Sequence, residues 1–123
     1  MKNYKELKVW QRGLEVVAAT YELVRQLPRE ETYGLRSQMT RAAVSISSNI
    51  AEGSSRSSEK EYRHFLEIAL GSCFELDTQL MVAIKVGLIT LPPESQLPDL
   101  LEEEIKMLHG FIARLSLPKA NSA

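Results

Sequence analysis

Four stretches of the chain carry apolar residues at alternating three- and four-residue steps, the spacing that lines one face of an α-helix. The first runs from about residue 7 to 27, with Leu7, Trp10, Leu14, Val17, Tyr21 and Val24 as its seam. Pro28 ends it, because proline disfavours helical geometry in the residue before it and has no N–H to donate. The second, about 35–52, places Leu35, Met39, Ala42, Ala43, Ile46 and Ile50 on one face, and Gly53 is expected in the left-handed position just past its end. The third, about 58–88, opens on the capping-box sequence Ser58-Glu59-Lys60-Glu61 and keeps its step through Tyr62, Leu66, Ala69, Cys73, Leu76, Leu80, Ala83 and Gly87. A proline-rich turn, ITLPPESQLP, leads to the fourth, about 98–116, whose seam is Leu101, Ile105, Leu108, Ile112 and Leu115, with Pro118 as the stop. Four amphipathic helices with short connections predict an all-α chain, an antiparallel up-and-down four-helix bundle forming a single domain over residues 1–123.

Some positions exceed what such a bundle requires. Gln38, Arg41, Ser45, Asn49 and Glu52 recur at helical steps beside the apolar face of the second helix, forming an ordered polar stripe. Its structural reading is a hydrogen-bonded network, within the bundle or between subunits. Its functional reading is a ligand or nucleic-acid contact through Arg41 and Asn49, which Glu52 beside them would oppose by repelling phosphate; the structural reading is preferred. On the third helix Phe65, Ile68 and Phe74 lie off the seam and predict a second buried surface, an interface between copies. Gly13, in mid-helix, points to close approach by a neighbour, and Trp10 to a core or interface anchor. Glu102, Glu103 and Glu104 fall near the start of the fourth helix, where carboxylates complement its dipole.

Charge and cysteine content narrow the setting. The net charge is −1 and the composition is ordinary for a globular chain, at 44% hydrophobic and 25% charged residues. Residues 1–60 carry ten Lys/Arg against seven Asp/Glu, and residues 61–123 five against nine, so one region can be basic while the whole is near neutral. A lone cysteine, Cys73, allows no internal disulfide. MKNYKELKVW lacks the apolar run of a signal peptide and no stretch is long enough to span a membrane. A cytoplasmic protein without a membrane partner is expected.

No catalytic constellation can be assembled. Glu61 and His64 have the E-x-x-H spacing of di-iron bundles, but such a site needs two copies of the motif and two further carboxylates, and His109 has Lys106 three residues before it. Cys73 sits on an apolar seam, as a small hydrophobe does. Phosphate-binding glycine loops and G-x-S-x-G are absent. The expectation is a protein that is not an enzyme, with no metal and no cofactor.

RAAVSISSNIAEG followed by HFLEIALGSCFELDTQL resembles the paired signature of the 23S rRNA intervening-sequence protein family, and the N-terminal YKELKVWQRGLEVVAATYELVRQLPREETYGLRSQM is similar to it as well. The resemblance implies a left-handed antiparallel four-helix bundle assembled as a homopentameric ring. Relatives include open reading frames inside insertions of large ribosomal RNA genes and the accessory proteins of diversity-generating retroelements, which bind nucleic acid and reverse transcriptase through basic surfaces. Arg41, Ser45, Asn49, Glu52, Gly53, Gly71, Ser72 and Glu75 match signature positions, with a structural rather than catalytic role implied. The chain departs from the family in carrying Ser47 where proline is usual, and in a pI near 6.1 where the retroelement accessories are strongly basic.

Two functions follow. The family-level reading is a homo-oligomeric accessory protein that binds RNA or DNA, with Lys2, Lys5, Lys8, Arg12, Arg36, Arg41, Arg56 and Arg63 as available cations. A ring would multiply a modest basic patch by symmetry. The alternative is a structural or docking module with an unidentified protein partner and no nucleic acid. For either, Trp10, Gln38, Arg41, Ser45, Asn49, Glu52 and Glu75 are the candidate structural or interface network.

Overall fold

The structure, a computed structural model, describes residues 3–116. Four α-helices carry the fold: α1 (Lys8–Val24), α2 (Leu35–Ser54), α3 (Glu59–Lys85) and α4 (Leu97–Ser116). Single 3-10 turns precede α1 at Tyr4–Glu6 and α2 at Arg29–Glu31. No strand occurs among the described residues. Lys2 and Pro118 lie outside them.

Each helix end has a local cause. The Ser58 hydroxyl caps α3 by accepting from the Glu61 N–H at 3.1 Å, while the Glu61 carboxylate sits on that hydroxyl at 3.3 Å. α3 closes on Gly87, whose φ of +80° is open to glycine at little cost. There the Leu88 N–H reaches the Ala83 carbonyl at 2.9 Å and the Gly87 N–H reaches Ile84 at 3.1 Å, the paired bonds of a Schellman ending. Gly87 thus takes the left-handed position expected of Gly53. Gly53 is helical, buried, and has Tyr62 and Phe65 packed where a side chain would begin. α2 runs one residue further, to Ser54.

The helices meet as α1–α2, α2–α3, α3–α4 and α4–α1, with no extensive diagonal contact, so they enclose one core as a bundle. The α2–α3 seam is the most extensive and α1–α4 the least. Between α1 and α2, Ser47 donates to the Trp10 carbonyl, and Tyr21 shares a hollow with Thr40 and Val44. At one end Gln26 clamps the loop before α4, donating to the Thr90 carbonyl at 3.0 Å and accepting from the Thr90 N–H at 2.9 Å.

Two core assignments differ from the expected seams. On α1 the core face is Val9, Gly13, Val16, Thr20, Leu23 and Val24, continued by Leu27; Val24 is thus buried as the seam predicts, while Leu14 and Tyr21 are exposed. This helix is apolar over a wide arc, and a heptad step does not say which edge of the arc faces inward. Trp10 is half-buried beside the core and meets Tyr4 edge-on at 5.4 Å. On α4 the buried positions are Leu97, Leu100, Leu101, Glu104 and Leu108. Glu104 therefore belongs to the core, and its side chain does not serve the helix dipole at the surface.

Candidate interaction groove between the second and third helices

Regular spacing on α2 and α3 sets two polar rows facing one another. On α2, Gln38, Arg41 and Ser45 fall at successive three- and four-residue steps; on α3, Ser72, Glu75 and Gln79 do the same. Together Gln38, Arg41, Ala42, Ser45, Glu75 and Gln79 line a groove of about 360 Å³.

One half of the groove is closed by internal hydrogen bonds. Asn49 Nδ2 donates to the Ser45 carbonyl at 2.8 Å and to Ser45 Oγ at 2.9 Å. Ser45 Oγ lies 2.8 Å from Ser72 Oγ, whose own proton points to the Ile68 carbonyl at 3.2 Å. A hydroxyl has one proton, so Ser45 is the donor to Ser72. The resulting chain, Asn49 to Ser45 to Ser72 to Ile68, ties α2 to α3 across their seam.

The other half is open to solvent. Gln38, Arg41 and Glu75 make no side-chain hydrogen bond or ion pair among the described residues, and Gln79 Oε1 is buried without a partner. Arg41 also borders a second hollow with Tyr21, Thr40, Val44 and Ser45, so its guanidinium lies between a polar groove and an apolar shelf. A surface of this kind offers donors and acceptors in fixed register, with both charge signs close together.

The remaining sequence-predicted residues are dispersed. Glu52 pairs with Arg56 at 3.1 Å, away from Arg41, so it does not set the potential around that guanidinium. Arg56 also lies over the Phe65 ring at 4.7 Å. Arg12 is held by Glu15 at 2.9 Å and Glu103 at 3.6 Å. Arg36 donates to the Leu27 carbonyl at 2.9 Å and Arg63 to the Leu115 carbonyl at 3.5 Å. Lys5 and Lys8 are exposed, with no side-chain partner among the described residues. Trp10 is remote from the groove, on the α1–α2 seam, where its carbonyl accepts from Ser47 at 3.1 Å. A proline at position 47 could not make that bond. Gln79 was not singled out by the sequence, although its step from Ser72 and Glu75 marks it.

The E-x-x-H pair stays at the surface: Glu61 and His64 are exposed beside Arg56, Lys60 and Phe65. Among the described residues no group of three or more His, Cys, Asp or Glu is placed to hold a metal. No helix there is long and apolar enough to cross a membrane. Cys73 is fully buried, and burial, with the Glu104 charge adding to it, pushes its thiol up to about 12.

Comparison with known proteins agrees with this architecture. Residues 5–110 match the family model described as 23S rRNA-intervening sequence protein, and the chain belongs to that family. It is similar in structure to a protein of unknown function from the S23 ribosomal protein family of Bacteroides thetaiotaomicron. The TM-score is 0.75 at 26% identity, over 85% of this chain and 97% of that one. No curated protein matches the chain.

Proposed function

We propose that this protein is a non-catalytic, cytoplasmic assembly module. Its antiparallel, left-handed bundle joins copies of itself through the α2–α3 groove, in the pentameric ring that the family resemblance implies. The observation that carries the reading is the half of the groove that makes no internal bond among the described residues. Arg41, Glu75, Gln38 and Gln79 present complementary groups that the bundle leaves unused. Three of these side chains face solvent and are free to pair with a partner, while Gln79 Oε1 is buried; buried polar atoms find partners in nearly every native protein, and a second copy supplies one. Exposed Ile68, Phe74, Met81 and Val82 on the same α3 helix add apolar area for the contact.

Light scattering coupled to gel filtration tests this. The wild-type chain should elute at a multiple of its 13.9 kDa mass, and Arg41→Ala should shift that mass downward with helicity retained. A monomeric wild-type chain at micromolar concentration, or an Arg41→Ala chain of unchanged mass and stability, defeats the reading.

Nucleic-acid binding is the second reading, supported by Lys5 and Lys8 standing unpaired near the start of α1. Of the eight candidate cations, Lys2 lies outside the described residues and four are already engaged, by carboxylates or carbonyls. Of those left, Arg41 shares its groove with Glu75. Assembly therefore comes first. Fluorescence anisotropy against structured RNA and duplex DNA decides the second reading: binding that persists at physiological salt with a steep salt slope supports it, and none at low salt removes it.

A further inference from the structure

Glu104 is fully buried in mid-α4, and among the described residues neither of its carboxylate oxygens has a hydrogen-bond partner. It lies against Gly13 of α1, where a Cβ would come 3.1 Å from Oε2, with Ser47 of α2 on the same spot. Gly13 therefore leaves room for a carboxyl and a hydroxyl to enter the core together. The Ser47 proton is committed to the Trp10 carbonyl.

The groups around this site are few. α1 presents Arg12, half-buried, and Glu15, exposed, which pair with each other; α3 presents Cys73; α2 offers Ser47, which does not titrate. On α4 itself, Glu103 is the second partner of Arg12. A neutral carboxylic acid is tolerable in such a setting, whereas an unpaired buried carboxylate is costly. The seam it lies on, α1–α4, is the least extensive of the four.

We propose that Glu104 is a proton-dependent latch on the α1–α4 seam: protonated, it packs neutral against Gly13 and Ser47 and holds the seam closed; ionised, it loosens α4 from α1 and draws Arg12 inward from Glu15 and Glu103. Burial raises the Glu104 carboxyl to about 8, with Arg12 offsetting and Glu15 adding to the effect. The latch thus works across the physiological range.

Native-state hydrogen exchange of the full chain between pH 5 and 9 is the test. After correction for the intrinsic rate of open amides, opening of α4 and α1 should rise about tenfold per pH unit up to the Glu104 midpoint, one proton being linked to opening. The α2 and α3 amides should rise less. Glu104→Gln should flatten the α1 and α4 response. A wild-type chain without that slope, an equal slope in all four helices, or a slope retained in Glu104→Gln overturns the latch. Should Glu104→Gln fail to fold, carboxyl NMR of the wild-type chain decides: one glutamate titrating above pH 7 supports the latch, and all titrating below pH 6 overturns it. In Arg12→Gln that midpoint should move upward; an unmoved midpoint takes Arg12 out of the mechanism and overturns its inward movement.

Discussion

Gly13 and Ser47 occupy one space: a methyl group on Gly13 would overlap the Ser47 hydroxyl, which is held in place by its bond to the Trp10 carbonyl. An alanine there gains about 1 kcal/mol of helix propensity but overpacks a core that also holds Glu104. Gly13→Ala should therefore destabilise the bundle by about 1–3 kcal/mol, read as a lower urea midpoint. A midpoint equal to or above the wild type would show that α1 and α2 do not approach as closely as the structure has them.

Glu104 gives stability a definite pH dependence. Its folded value of about 8 lies above the ordinary 4.5, so between these values the unfolded chain is ionised while the folded chain keeps its proton. The stability contributed is fully present below about pH 4.5 and is lost as pH rises through about 8. Urea midpoints should fall across that window in the wild type and fall less in Glu104→Gln, which should also be the more stable of the two at pH 8. Parallel profiles would remove Glu104 as the cause.

Gln26 reaches across the bundle end to both backbone groups of Thr90. Gln26→Ala loses two hydrogen bonds at an exposed position. The expected cost is about 1 kcal/mol, with faster exchange of the Thr90 amide. Unchanged exchange would mean that the loop before α4 is held by its buried neighbours, Ile89 and Leu97, and not by the clamp.

Cys73 should not react with a thiol reagent at pH 8 in the folded chain and should react at once on unfolding, because the thiol is buried and held far above its ordinary range. Rapid alkylation of the native protein would contradict the core position of this residue.

The architecture was legible where local chemistry and periodicity agreed. Ser58 reads as a cap because its hydroxyl and the Glu61 N–H are brought together by the helix turn alone, without help from the rest of the fold. On α2 and α3 residues at the expected step, among them Met39, Ile46 and Ile50, and Leu66, Cys73 and Leu80, are the buried ones. On α1, Leu14 and Tyr21 carry the same spacing as Val9, Val16 and Leu23, and only packing selects between them. The two glycine assignments exchanged for a similar reason. Gly53 follows a periodic stretch, but tertiary contact with Tyr62 and Phe65 keeps it helical, and Gly87 takes the turn.

Of the groove, the sequence exposed the α2 row and only part of the α3 row that completes it. Ser45, Asn49 and Ser72 bond to one another, whereas Arg41 and Glu75 make no side-chain bond among the described residues. That difference depends on side-chain reach across two helices and leaves no mark in spacing. Glu104 was hidden by its neighbours: in a run of three glutamates, nothing in the residue type shows that the third turns inward.

The most direct measurement is native mass spectrometry of the wild-type chain beside Arg41→Glu, which places a carboxylate next to Glu75 in the groove. The account predicts a wild-type oligomer, a pentamer if the ring is complete, and a monomer of unchanged helicity for Arg41→Glu. A wild-type monomer, or an oligomer that Arg41→Glu leaves intact, would contradict the claim that this groove joins the copies.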